Sequence, residues 1–188
     1  MRIKLYQILS LVILFFSQIS CTTNSVASKD NTEKKIIKNN GYVIGIIDGD
    51  TYDLLLEDKS KIRVRLDGID APEKGMPFYK LAKKYLSDLC FNKYVTYVQT
   101  TLDGHGRTVA KTYLEDGREC GEQLIKAGLA WHFKKYSTEK KLADLEIEAR
   151  NKKIGIWSDP RPIPPWEVRK LHNQGISTKD SFKTSYVK

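Results

Sequence analysis

The stretch from Ile46 to Glu73, I-I-D-G-D-T-Y-D-L-L-L-E-D-K-S-K-I-R-V-R-L-D-G-I-D-A-P-E, constrains the fold more than any other part of the chain. Within it, Lys61–Asp67 alternates strictly. Ile62, Val64 and Leu66 fall on one face, Arg63 and Arg65 on the other, which is the period of a half-buried strand. Gly41–Asp48 and Thr51–Leu56 also read as strands. Asp48-Gly49-Asp50 is the turn between them, and Asp58-Lys59 opens the next. Three consecutive strands joined by tight turns make a meander.

Beyond it, Pro72 and Pro77 bracket an irregular loop. The spacing of Leu81, Ala82, Tyr85, Leu86 and Leu89 predicts a helix over about 78–89. Tyr94–Thr100 and Val109–Leu114 have the β-branched and aromatic content of strands, with the glycine-rich loop Asp103-Gly104-His105-Gly106 between them. A short helix is expected over Cys120–Ala127, closed by Gly128. A longer one opens near Thr138, a candidate N-cap, and ends near Ile154-Gly155. After Trp166 the chain is polar and basic, and a frayed tail is expected there. Five strands with a helix between the third and fourth is the pattern of an OB-fold barrel. The expected class is therefore α+β with a mainly β core, about three helices packing against the barrel.

The same strands carry acids and arginines at fixed intervals. Asp48 and Asp50 flank Gly49, and Asp70 and Glu73 flank Ala71-Pro72. Either cluster alone is a turn. Antiparallel neighbours about 4.8 Å apart could bring both to one rim of a small barrel, where like-charged carboxylates repel unless a cation lies between them. Oxygen ligands suit Ca²⁺. Arg65, and Arg107 from the distant loop, offer planar guanidinium forks for phosphate oxygens, or else are ordinary solvated arginines. No C-x-x-C occurs and His105, His132 and His172 are isolated, so nothing resembles a zinc site. Lys and Arg number 32 against 23 acids, a formal charge of +9. That excess favours polyanionic partners such as nucleic acid.

Residues 1–20 read as an export signal: basic Arg2 and Lys4, an apolar run from Leu5 to Phe16, then S-Q-I-S before Cys21. The run is short for a membrane span. Cys21 stands where a bacterial lipoprotein is cut and acylated; ordinary cleavage near Ser20 is the alternative. Loss of residues 1–20 lowers the formal charge from +9 to +7. Thr22–Asn40, polar and without apolar period, reads as a tether. Cys90 and Cys120 either pair as a disulfide or stay as two buried thiols.

Two blocks resemble the thermonuclease (staphylococcal-nuclease-like) family. The first is D-G-D-T-Y-D-L, ten residues, then R-L-D-G-I-D-A-P-E. The second is D-G-H-G-R-T-V-A-K-T-Y, from Asp103 to Tyr113. Weaker similarity runs on through G-E-Q-L-I-K-A-G-L-A-W and E-A-R-N-K-K-I-G-I-W to P-P-W, so it spans roughly Tyr42–Trp166. The resemblance implies Asp50, Asp70 and the carbonyl of Ala71 as Ca²⁺ ligands, and Asp48 orienting the site without touching the metal. It implies Glu73 as general base, or as the residue that positions the attacking water near the metal, and Arg65 and Arg107 as phosphate clamps. The implied reaction is hydrolysis of DNA and RNA at the 5′ P–O bond, leaving 3′-phosphates. His105 would touch a phosphate and Tyr136 would stack a base, while Tyr113 is expected in the core. In such a fold Cys90 and Cys120, at two helix ends, lie near each other, which favours a disulfide. The chain departs from the family pattern at Tyr52 and Thr112, where aliphatic residues are usual, and at Gly104 and His105.

Taken together, the expected organisation is a signal peptide (1–20), a tether (21–40), a nuclease domain (41–166) and a polar tail (167–188). The expected protein is an exported, Ca²⁺-dependent endonuclease. It would be a monomer, anchored to a membrane through lipid on Cys21 (periplasmic or cell-surface) or secreted. It would bind DNA and RNA, with no obligate protein partner. The alternative is a non-catalytic nucleic-acid-binding or adhesive surface lipoprotein.

Overall fold

The structure, a computed structural model, describes residues 38–185. The proposed signal peptide, Cys21 and nearly all of the proposed tether lie outside them. The strands are β1 (Lys38–Ile46), β2 (Thr51–Leu55), β3 (Lys61–Leu66), β4 (Ile69–Asp70), β5 (Tyr94–Leu102), β6 (Thr108–Tyr113) and β7 (Trp131–His132). The helices are α1 (Tyr79–Cys90), α2 (Cys120–Lys126), α3 (Lys140–Asn151), α4 (Pro165–His172) and α5 (Thr178–Ser185), with a 3₁₀ turn at Gly155–Ser158.

β1, β2, β3, β6 and β5 close into a barrel in that order. All neighbours are antiparallel except β3 and β6, which run parallel. This is the expected five-stranded OB-fold. The alternation in β3 sets its orientation: Val64 and Leu66 are buried inside the barrel, and Arg63 faces outward to a two-pronged ion pair with Asp53. Val43, Leu54, Val95 and Ala110 fill the same interior, and α1 covers it with Ala82, Leu86 and Leu89.

Tyr52 and Thr112, the two polar departures in the strands, meet in that interior. The Tyr52 hydroxyl and Thr112 Oγ1 share a 2.7 Å hydrogen bond and both residues are fully buried. Each supplies the partner that the other needs once removed from water.

α2 starts on Glu119, whose carboxylate accepts from the backbone N–H of Gly121 at 3.0 Å and Glu122 at 2.6 Å. That cap satisfies donors which a helix start leaves open. α3 begins after Glu139 without a side-chain cap, so the expected capping by Thr138 does not occur.

Several helices accompany the barrel, as expected, five α-helices and a 3₁₀ turn among the described residues. One expectation at the C-terminal end is corrected: the residues after Trp166 form α4 and α5, not a frayed tail. The cause is tertiary. Trp166 and Val168 are two residues apart, off the helical period, and Phe182 stands well beyond them, so no period shows; yet they pack with Met76, Trp131, Ile156 and Trp157 in a second apolar cluster. The compact domain therefore continues past residue 166, and at its other end β1 begins at Lys38 rather than Gly41.

Cys90 and Cys120 are both buried and both free thiols, the second of the two readings the sequence left open. Cys90 Sγ donates to the Leu86 carbonyl at 3.2 Å. A hydrogen bond donated to Cys90, together with burial, pushes the Cys120 thiol well above its ordinary pKa. Such a thiol carries little thiolate and is unreactive.

Candidate active site

The β1–β2 turn, the β3–β4 turn and the segment after β4 bring the acids together. Asp48 Oδ1 accepts from the Asp50 N–H at 3.0 Å, which fixes the turn. Asp50, 4 % exposed, accepts from Thr51 Oγ1 and the Ala71 N–H, each at 2.9 Å. Its Oδ1 also lies 2.6 Å from Arg65 Nη1. Arg65 Nη2 reaches Asp70 Oδ1 at 3.0 Å and the Ile69 carbonyl at 3.2 Å. A single guanidinium thus bridges Asp50 and Asp70, the two side chains the sequence nominates as metal ligands. β4 holds Asp70 in place by pairing with β7.

Electrostatics sort the three aspartates. Burial and the adjacent Asp50 charge push Asp48 up to about 6. Burial works the same way on Asp50, but Arg65 and the Ala71 N–H outweigh it and hold that carboxyl below its usual value. Asp70 is raised, because its burial exceeds the help it gets from Arg169 and Arg65. Asp50 is thus the most firmly ionised of the three.

These residues edge a cleft of about 1570 Å³. Asp50, Arg65, Ala71 and Glu73 line it, as do Arg107, His105 and Tyr136 from other elements. Every side chain proposed for catalysis, phosphate or base contact or metal support except Asp70 therefore reaches the cleft wall; Asp70, 1 % exposed, lies beneath two arginines. Glu73 is exposed at the rim. Arg107 is tied back within its own loop, with Nε 2.7 Å from Asp103 Oδ2. Asp103 Oδ1 also accepts from the His105 and Arg107 N–H groups, which organises the tight turn at Gly106. The His105 side chain is exposed there. Tyr136 is 68 % exposed and stands edge-on to Phe133, whose ring stacks on Trp166.

The residue that sequence reasoning missed is Arg169, on α4. Its Nη2 lies 2.6 Å from Asp70 Oδ2 and its Nη1 3.3 Å from Asp70 Oδ1. The same Nη1 donates to Glu73 Oε1. Nothing local marks this arginine, which is separated from Glu73 by 96 residues. The only available signal is a charge imbalance: four acids converge on one nearby arginine, so a second cation is wanted.

Among the described residues no group of three or more His, Cys, Asp and Glu side chains is arranged to hold a metal ion. The chemistry of the donors nonetheless fits a hard cation: two buried carboxylates held to one another by positive charge, with the Ala71 backbone alongside. The guanidinium groups stand where such charge is needed.

Residues 63–159, just over half of the chain, match the family described as "Staphylococcal nuclease homologue". An "Uncharacterized endonuclease" of Escherichia coli O157:H7 is 36% identical over 126 residues, covering 67% of this chain and 82% of that protein. A "Micrococcal nuclease" of Shigella flexneri is 36% identical over 140 residues, covering 69% and 80%. The "Staphylococcal-like nuclease CAN1" of Arabidopsis thaliana is 41% identical over 115 residues, 61% of this chain but only 35% of that longer protein. The barrel, the acid–arginine rim and these likenesses agree: the chain belongs to the staphylococcal nuclease family.

Proposed function

We propose that this protein is a Ca²⁺-dependent endonuclease that hydrolyses phosphodiester bonds of DNA and RNA at the 5′ P–O bond, leaving 3′-phosphates. The observation that carries the reading is the bridge Asp50–Arg65–Asp70, with Glu73, paired to Arg169, exposed to water at the rim of an open cleft. Asp50, Asp70 and the Ala71 carbonyl hold the cation, because all three offer oxygen. When bound, the cation neutralises charge developing on the phosphate. Glu73 accepts the proton of the attacking water. Arg65 and Arg107 donate N–H groups to the phosphate oxygens and stabilise the transition state more than the substrate. Asp48 keeps the turn in shape through the Asp50 N–H. His105 contributes a donor to a phosphate, and Tyr136 a face for a base.

Export and anchoring complete the reading. The basic, apolar and small-residue sequence ending at Cys21 supports lipidation there, with the domain held at a membrane surface or released. Among the described residues no helix is long and apolar enough to cross a membrane. Incorporation of labelled palmitate, lost in Cys21→Ser, tests the anchor.

The enzymatic claim is tested by in-gel cleavage of DNA and of RNA with Ca²⁺ and with chelator. Activity with Ca²⁺ alone, and its loss by about 10²-fold or more in Glu73→Gln with an unchanged melting temperature, is the expected result. A protein that binds DNA and does not cleave it whichever divalent cation is supplied is a binding module, and the proposal fails.

A further inference from the structure

We propose that Arg169 is a positioning residue that opposes cation binding: it covers Asp70 and must leave that carboxylate when a divalent cation takes it. The inference rests on the reading that Asp50 and Asp70 hold such a cation.

The geometry is specific. Both oxygens of Asp70 are engaged by guanidinium donors, Oδ1 by Arg65 and Arg169, Oδ2 by Arg169 alone. Asp70 is 1 % exposed and does not reach the cleft wall, whereas Arg169 does. The fork of Arg169 therefore lies over this carboxylate on the cleft side. A divalent cation on Asp70 and a guanidinium on the same oxygens repel at close range, in surroundings poorly screened by water. One of them must go. Arg65 is the less mobile of the two: it is largely buried and held by Asp50, Asp70 and the Ile69 carbonyl. Arg169 side-chain exposure is 39% and its other partner, Glu73, is exposed at the rim.

The helix that carries Arg169 stays put while its side chain moves. α4 begins at Pro165, after the extended Pro164, and Val168 buries its inner face in the second apolar cluster. Trp166 stacks on Phe133 with centroids 5.2 Å apart and planes 2° from parallel. Release thus needs rotation about the Arg169 side-chain torsions only. The bond to Glu73 survives a swing away from Asp70, so the proposed general base keeps its neighbour at the rim. Cation and arginine exchange at one carboxylate, and by linkage each weakens the other.

Calorimetric titration of the full chain with Ca²⁺, in the absence of nucleic acid, tests this. Wild type, Arg169→Gln, Arg169→Lys and Asp70→Asn are compared, each with its thermal melt. Removal of the guanidinium in Arg169→Gln tightens Ca²⁺ binding about 10-fold. Arg169→Lys, which keeps the charge and loses the two-pronged contact, lies between that variant and wild type, and serves alone if Arg169→Gln does not fold. A purely structural arginine gives the opposite sign, since loosening the site weakens the cation. Equal or weaker binding in both Arg169 variants, with wild type still binding and Asp70→Asn not, overturns the inference and leaves the cation site standing. No binding by any form, wild type included, overturns both, and is recognisable as failure of the cation site itself.

Discussion

Side chains that sit wrongly for one neighbour are often right for another, and Tyr52 and Thr112 show it. As single departures from an aliphatic pattern they look like packing changes; in the barrel they are one hydrogen-bonded unit of 2.7 Å. Tyr52→Phe or Thr112→Val leaves the other partner unsatisfied and costs about 1–3 kcal/mol. The double variant Tyr52→Phe/Thr112→Val costs less than the sum of the two, so urea unfolding of the four proteins yields a favourable coupling term. His132 makes a different residue-scale prediction. It is 3 % exposed, its Nε2 is 3.2 Å from Ser137 Oγ, and its Nδ1 has no partner. Burial holds its pKa below the ordinary 6.5 despite the nearby Glu146 carboxylate. The unfolded chain therefore takes up a proton near 6.5 that the folded protein refuses. The stability of the neutral form is complete above that pH and is lost as pH falls through it. Urea midpoints measured from pH 7.5 to 5.5 fall for the wild type, and fall less for His132→Gln.

At the level of elements, close approach of two turns decides more than helix propensity does. Gly128 follows α2 with φ +66° and Gly155 opens the 3₁₀ turn with φ +57°. The Ile156 N–H donates to the Gly128 carbonyl at 2.8 Å. A Cβ on Gly155 would lie 2.1 Å from that oxygen. Gly155→Ala thus adds a clash to an unfavourable backbone angle, and loses about 1–3 kcal/mol in urea unfolding. The same contrast explains what was legible in advance. The β1–β3 meander could be read because alternation is a local signal, and Val64 and Leu66 take the face it assigns. Asp48, Asp50, Arg65 and Ala71 converge because tight turns leave them little choice. α4 and α5 could not be read, because the packing of Trp166, Val168 and Phe182 depends on Met76 and Trp131 far earlier in the chain. Arg169 was hidden for the same reason, since it belongs to a helix whose existence only the assembled second cluster supports.

The whole molecule presents its charge unevenly, and this sets how a polyanion meets it. Many surface lysines are already neutralised along their own helices: Lys84 by Asp88 and Lys140 by Asp144, both four residues on. Lys134, at the cleft, is paired with the buried Glu146. Lys135 and Lys170 also line the cleft, and Lys135 lies 5.2 Å from the Tyr136 ring centroid, near the proposed base-stacking face. Net charge alone, +9 over the full chain, does not distinguish these groups. Their placement does, because only cations that touch phosphates release counterions on binding. Binding of single-stranded DNA by the Glu73→Gln variant in chelator, measured across a salt series, isolates the effect from cleavage. Replacing Lys135 or Lys170 by Gln makes the slope of log K against log salt shallower by about 0.7 each. Lys84→Gln removes the same unit of charge from the back of α1 and leaves the slope unchanged. Equal effects from all three would mean that the overall field, rather than the cleft, draws the nucleic acid in.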